Sequence, residues 1–245
     1  MADLLKLGHN QNAMQQSHIM PLTGLGLYTL AEAARLSGVP SADLRRWLYG
    51  YQVGKGDARR LMPPLWRPEP SDAGLDGLSF HDLLEVRFVR HFRHLGISLQ
   101  TIRIAAQHAR ELLESPYPFT CRRFQTDGRS IFAEAIDASG DPELLDLKRR
   151  QYVMQNVIQP SLVAGLEFDD GRVRRWYPME RSKAVFLDPT IAFGKPVVAD
   201  ASVRTDILFD AWLAENKNIR RVASLYEVST KAVEAAVRFE TRLAA

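Results

Sequence analysis

Arg45 and Arg46 stand side by side in the stretch SADLRRWL, and Lys55, Arg59 and Arg60 follow in GKGDARR. A guanidinium presents a rigid planar fork that donates two parallel hydrogen bonds to a phosphate or to the edge of a guanine, so these cations point to nucleic-acid contact. Of the 32 basic residues 25 are arginine, yet the net charge is only +3, so the argument rests on where the cations stand. Groups suited to covalent or metal chemistry are sparse. His91 and His94 are three apart with His81 nearby, but neither H-E-x-x-H nor a third ligand at fixed spacing accompanies them. They are expected to be solvated or to contact phosphate. Cys121 is the one cysteine, which excludes an internal disulfide, a Cys-x-x-Cys pair and a multi-cysteine zinc site. Beside Arg122 and Arg123 in an expected strand, it reads as a small buried hydrophobe. Gly54-Lys55-Gly56 and Gly194-Lys195-Pro196 lack the G-x-x-x-x-G-K-[ST] spacing of a phosphate-binding loop. The chain is therefore expected not to be an enzyme and to use no cofactor and no metal.

Holding those arginines in place requires a folded frame. A composition of 46% hydrophobic and 25% charged residues is that of a globular chain, and 245 residues at roughly 150 per domain make two compact units or three small ones. No apolar run approaches the roughly 20 residues of a membrane helix, so the reading is a soluble, cytoplasmic protein without a membrane partner. Residues 1–23, rich in Gln, Asn, His and Met without helical period, read as a flexible leader. Then TLAEAARLSGVPSADLRRWL gives two short helices around a Ser-Gly-Val-Pro break. Ala34 suits the helix crossing, Gly38 the turn that needs positive φ, and Val39, Leu44 and Trp47 the buried face of a helix-turn-helix. Ser41 is expected to cap the second helix, whose positive end then faces outward toward phosphate. The Gly-Lys-Gly-Asp turn between short apolar stretches, with a Pro-Pro exit, reads as a β-hairpin wing carrying Lys55, Arg59 and Arg60. Two longer helices follow, broken at Gly96, with Leu84, Phe88, Phe92 and Leu95 as the buried stripe of the first and Arg87, Arg90 and His94 on another face.

Residues 116–183 are expected to form a small α+β region. Asp127-Gly128 and Asp170-Gly171 each lie between strand-like stretches and predict two hairpins. Between them Asp141 and Pro142 open a helix with Leu144, Leu147, Met154 and Ile158 on one side. From 184 to 245, short strands around Phe186 and Val197 precede three helices. The offsets of 4, 10 and 13 that join Ala34, Gly38, Leu44 and Trp47 recur in Ala223, Glu227, Val233 and Ala236, which predicts a second helix-turn-helix with Asn218 and Ser229 as caps. Its net charge is zero, which favours DNA binding less than the first. The expected fold class is thus α+β and mainly helical: an N-terminal winged helix-turn-helix (24–115), a small antiparallel sheet with a helix in the middle (116–183), and a C-terminal helical helix-turn-helix-like unit (184–245).

Two stretches resemble known families. Tyr28-Thr-Leu-Ala-Glu-Ala-Ala-Arg-Leu-Ser-Gly-Val, Leu44-Arg-Arg-Trp, Leu78-Ser-Phe-His-Asp-Leu-Leu and Leu95-Gly-Ile-Ser-Leu-Gln-Thr-Ile-Arg are together similar to the winged helix-turn-helix domain of MerR-type regulators over about residues 27–113. The chain departs from that family at Arg46, where an aromatic is usual, and in a longer, Pro-rich wing. Asp188-Pro189, Phe193-Gly194-Lys195-Pro196-Val197-Val198 and the helical pair from Leu225-Tyr226 to Phe239-Glu240 resemble the DUF433 antitoxin domain, with Asp200-Ala201 where the family carries Gly-Thr. The combination is similar to the larger VapB-type antitoxins paired with PIN-like ribonuclease toxins. The resemblance implies an antitoxin of a type II toxin–antitoxin pair that neutralises such a toxin and binds double-stranded operator DNA to repress its own operon. Ser41, Arg45, Arg46, Lys55, Arg59 and Arg60 are the expected DNA contacts, and a homodimer would match a palindromic operator. Arg220, Arg221 and Arg238 are candidates to enter the toxin's carboxylate-rich metal site. The alternative is a stand-alone MerR-type transcriptional regulator that senses a small ligand through its C-terminal half, with an apolar molecule held at Trp176 or Trp212.

Overall fold

The computed structural model describes residues 24–56, 59–144 and 146–244; the expected leader lies outside them. Helix makes up 55% of the chain and each sheet has only two strands, so the fold is mainly helical α+β as expected. The chain opens with α1 (Leu30–Ser37) and α2 (Ser41–Tyr49), then the hairpin of β1 (Tyr51–Val53) and β2 (Arg60–Met62). Helices α3 (Phe80–His94) and α4 (Leu99–Leu113) follow. Serines start both: Ser79 forms a capping box with Asp82, and the Ser98 hydroxyl accepts from the Thr101 amide.

The middle region departs from the sequence reading. Asp127-Gly128 is no hairpin turn; it lies inside α5 (Phe124–Ser139), and Cys121 sits in the turn before that helix rather than in a strand. The reason is tertiary. Phe124, Gly128, Ile131, Phe132, Ala135 and Ile136 follow a helical period and are all buried as α5 packs along α4. A Cβ on Gly128 would stand 2.8 Å from Ile158 Cδ1 and 2.9 Å from Phe124 Cζ, so the glycine serves close approach. The helix expected from Asp141 divides into a short 3-10 turn, Pro142–Leu144, then α6 (Leu147–Asn156) capped by the Asp146 side chain, then the single turn α7 (Pro160–Val163). The second hairpin is present as β3 (Leu166–Asp169) and β4 (Arg172–Trp176), pairing Leu166 with Trp176.

One core unites the N-terminal and middle segments. Phe92 meets Phe119 at 5.0 Å and Phe132 at 4.5 Å between ring centroids, with Phe88 and Phe124 around them. Edge and tilted aromatic pairs of this kind add about 0.5–1.5 kcal/mol each beyond burial. The C-terminal segment forms β5 (Val185–Phe186) paired with β6 (Val197–Val198), then α8 (Thr205–Ala214), α9 (Ile219–Leu225) and α10 (Thr230–Ala244) around Leu208, Val222 and Val233. It grips the start of the N-terminal unit through Phe193-Gly194-Lys195. The Tyr28 hydroxyl donates to the Gly194 carbonyl at 2.5 Å, and Lys195 Nζ donates to the Leu27 carbonyl at 3.0 Å and to Glu32 at 2.5 Å. A Cβ on Gly194 would lie 2.6 Å from the Tyr28 hydroxyl, so only glycine permits this contact.

Candidate nucleic-acid interface

The N-terminal helix pair is built by local rules. Thr29 Oγ1 accepts from the Glu32 amide at 3.2 Å while the Glu32 carboxylate accepts from the Thr29 amide at 2.9 Å, which starts α1. Gly38, at φ +68°, ends it in the left-handed conformation, with its amide donating to the Ala34 carbonyl at 2.8 Å. The cap of α2 differs from the expectation. Pro40, at ψ 140°, takes the N-cap position and offers no side-chain acceptor, so Ser41 becomes the first helical residue and is exposed. The first amides of α2 thus lack a side-chain cap, and the positive end of the helix still faces outward. Leu44, Trp47 and Leu48 turn inward, which leaves Arg45 and Arg46 on the exposed side. Arg46 lies 4.4 Å over the Tyr51 ring, a cation–π contact that holds its guanidinium at the junction of α2 and β1.

The wing is a hairpin as expected, with Val53 opposite Arg60, and Lys55, Arg59 and Arg60 are exposed along it. Its exit is fastened by groups the sequence did not single out. Arg103 donates to the Pro63 carbonyl at 2.7 Å and Arg110 to the Leu65 carbonyl at 3.1 Å, while the Leu65 amide donates to the Trp47 carbonyl at 2.7 Å. The two arginines are seven apart on one face of α4, a spacing readable in the sequence once the Pro-Pro exit is placed beside that helix. Asp82 completes the fastening by accepting from Trp66 Nε1 at 2.7 Å, the Glu69 amide at 3.0 Å and the Ser79 amide at 2.9 Å. Burial pushes its pKa up to about 6, against the pull of those hydrogen bonds.

A cleft of about 230 Å3 runs between the Gly38–Pro40 turn and the end of α3, and Arg46, Arg90, Arg93 and His94 line it. It extends the basic surface beside α2. Only His94 of the three histidines is exposed, with Nδ1 on the Arg90 carbonyl at 2.8 Å. His81 and His91 are only partly exposed, where solvated side chains were expected. His81 stacks on Tyr117 and bonds the Val173 carbonyl through Nε2, while His91 Nε2 bonds the Asn156 carbonyl. Burial lowers the pKa of both. Among the described residues no group of three His, Cys, Asp or Glu could hold a metal ion.

The C-terminal helix pair has the expected caps and packs differently. Asn218 accepts from the Arg221 amide, Ser229 Oγ accepts from the Ala232 amide at 3.1 Å, and Glu227 adopts φ +54° where Gly38 stands in the first motif. Carrying the offsets forward puts Glu234 at the place of Arg45 and Ala235 at the place of Arg46. Ala235 is 1% exposed and packs with Val185 and Phe239. The same helix lies against α1 through Arg35 and Glu240 at 3.1 Å, and Glu240 also accepts from Thr205 Oγ1 at 2.5 Å. Arg220 and Arg221 project from α9 and Arg238 from α10, all exposed; Arg221 pairs with Glu215. Beside α9 the side chains of Leu213, Leu225 and Tyr226 are also exposed.

Trp176 and Trp212, the expected apolar ligand contacts, are both largely covered by neighbouring side chains. Trp176 is buried beneath the Arg87 guanidinium, which lies 4.2 Å over its ring, and Trp212 is covered by Phe209 and Lys217. No helix among the described residues is long and apolar enough to cross a membrane.

Exposed arginines on the second helix of a helix-turn-helix, with a basic wing fastened next to it, are the features of a DNA-binding domain. Residues 26–106 match the family described as "Putative DNA-binding HTH domain". Over 195 residues, 74% of this chain and 81% of the relative, the sequence is 28% identical to the protein of Mycobacterium tuberculosis named "Putative antitoxin VapB45". The fold is similar to the crystal structure of Rv2018 from Mycobacterium tuberculosis, with a TM-score of 0.62 and 21% identity over 88% of this chain and 99% of that one.

Proposed function

We propose that this chain is the antitoxin of a type II toxin–antitoxin pair, binding operator DNA through its N-terminal unit to repress its own operon and holding a PIN-like ribonuclease toxin through its C-terminal unit. The DNA contacts are Arg45 and Arg46 on α2, the Ser41 end of that helix, and Lys55, Arg59 and Arg60 on the wing, in a homodimer on a palindromic site. The observation that carries this reading is the contrast between the two motifs: the arginine pair of α2 is exposed, whereas the matching positions of α10 are a glutamate and a buried alanine. The N-terminal unit is read as MerR-like and the C-terminal one as of the DUF433 type. The toxin-contacting groups are Arg220, Arg221 and Arg238, and Leu213, Leu225 and Tyr226 supply apolar contact beside them. The name of the relative from Mycobacterium tuberculosis supports the antitoxin role.

The test joins two measurements on the full chain. Recovery from its source cell with mass spectrometry of stoichiometric partners should yield a small nuclease rich in carboxylates. Arg45→Glu with Arg46→Glu should abolish binding to the chain's own promoter while the nuclease still co-elutes, and wild-type DNA affinity should fall steeply with salt as phosphate contacts release counterions. A chain recovered alone that still binds its promoter would overturn the toxin-binding half in favour of a stand-alone regulator. DNA binding unchanged in the double variant would overturn the assignment of α2.

A further inference from the structure

We infer that the recess between α1, α3, β4 and the end of α10 is a binding site for a small organic anion bearing a phosphate or carboxylate group. The recess has a volume of about 780 Å3, within the range of small-ligand sites. Arg35, Arg87, Arg90 and Arg242 line it, and no aspartate or glutamate does. Four guanidiniums from three helices converge there, and of the four Arg35 is paired with a carboxylate, that of Glu240.

Arg87 lines it from α3. Its guanidinium lies flat over Trp176, and its Nη1 is buried with no hydrogen-bond partner. A buried donor left unpaired is costly, and an oxyanion placed there would satisfy it with a charge-assisted bond. Burial pushes the Arg87 pKa down to about 10, so the group is cationic at neutral pH. The other three keep donors in reserve, since each guanidinium carries five N–H groups. Arg90 Nη1 donates to the Ser37 carbonyl, Arg242 Nη2 to the Pro178 carbonyl, and Arg35 Nη2 to Glu240. Of the acidic groups nearby, Glu240 is committed to Arg35 and Thr205, and Glu180 acts on Arg87 through space. Leu36 and Leu162 give the walls apolar patches suited to a carbon skeleton. Duplex DNA suits this place poorly, because its phosphates sit on a stiff convex rod and the unpaired Nη1 is buried. Arg90 and His94 are shared with the cleft beside α2, but none of the arginines of α2 and the wing lines the recess, so Arg87 and Arg242 test it apart from them.

The experiment is calorimetric titration of the full chain with inorganic pyrophosphate and, separately, with citrate, in chloride buffer of constant ionic strength. Saturable binding at one site is expected for at least one of the two, and which one tells phosphate from carboxylate chemistry. Arg87→Met should weaken it by about tenfold or more, and Arg242→Gln, at the exposed mouth, by several-fold. Arg174→Gln, an exposed arginine of β4 outside the recess, should leave it unchanged. Should Arg87→Met fail to fold, Arg242→Gln carries the comparison. Absence of saturation with both anions, or equal affinity in wild type and Arg242→Gln, would overturn the inference. Saturation by a hexaglutamate peptide but by neither small anion would also overturn it, in favour of an acidic protein segment.

Discussion

Glu85 lies wholly inside the protein, on α3, and the stability of the molecule should carry its signature. Its Oε1 accepts from the Thr120 amide at 2.8 Å and from Thr120 Oγ1 at 2.9 Å, and its Oε2 from the Phe119 amide at a longer 3.4 Å. Burial pushes its pKa up from 4.5 to about 7, with the Thr120 and Phe119 hydrogen bonds opposing the shift. Because the folded-state value stands above the unfolded one, the contribution of this group is fully present below about pH 4.5 and is lost as pH rises toward about 7. At about 1.4 kcal/mol per pH unit of separation, the loss is about 3 kcal/mol. Glu85→Gln has no such slope. The amide oxygen of the variant can keep both Thr120 bonds, and its NH2 faces the Phe119 amide, a penalty of about 1 kcal/mol for a bond that was long already. Glu85→Gln should therefore be about 1 kcal/mol less stable than wild type near pH 4.5 and about 2 kcal/mol more stable near pH 8, with the curves crossing between about pH 5 and 6. Urea unfolding of both proteins across that range measures the difference, and the titration of Asp82, common to both, cancels. A difference that stays constant with pH would refute the reasoning, because it would mean that Glu85 ionises alike in the folded and unfolded chain.

Three further outcomes follow from packing and backbone geometry. Gly38→Ala places a side chain at φ +68° with its Cβ 2.9 Å from Arg90 Nη1, and should cost about 1–2 kcal/mol, whereas Glu227→Gly at φ +54° should be neutral or gain up to about 1 kcal/mol; thermal unfolding compares them. Phe132→Ala removes a fully buried ring that packs on Phe92, and should lower stability by about 3–5 kcal/mol in urea denaturation. Ala235→Arg forces a cation between Val185 and Phe239, and should cost more than about 3 kcal/mol in the same assay without giving α10 any affinity for DNA.

The elements whose pattern is local were legible from the residues alone. Gly38, Asn218, Ser229 and the hairpin wing follow from capping and turn chemistry that acts within a few residues, and each stands where the sequence put it. Ser41 was misplaced by one position, because Pro40 fixes the last extended residue and so takes the N-cap itself. Asp127-Gly128 misled for a longer-range reason. The pair has the local signature of a hairpin, but Gly128 answers to Ile158, thirty residues away, and no rule of spacing reports that contact. The same limit hid the wing fastening by Asp82, Arg103 and Arg110 and the recess under Arg87, since each depends on which elements meet rather than on what stands next in the chain.

Two helix-turn-helix motifs of the same internal spacing end in opposite circumstances, and the difference lies outside the motif. Gly38 and Glu227 both adopt positive φ at the turn, and the inward residues Leu44 and Val233 are both fully buried. What separates them is the far side of the second helix. In α2 that side carries Arg45 and Arg46 with a basic wing beyond it, and the frame of α3 and α4 keeps both in place. In α10 it carries Ala235 and Phe239, and β5 and α1 close over them. The exposed arginine pair of α2 thus has no counterpart on α10, where Glu234 is exposed and Ala235 is buried against β5 and α1. Along α9 Arg220, Leu225 and Tyr226 face outward, and under the proposed function they offer a protein partner both charge and apolar area.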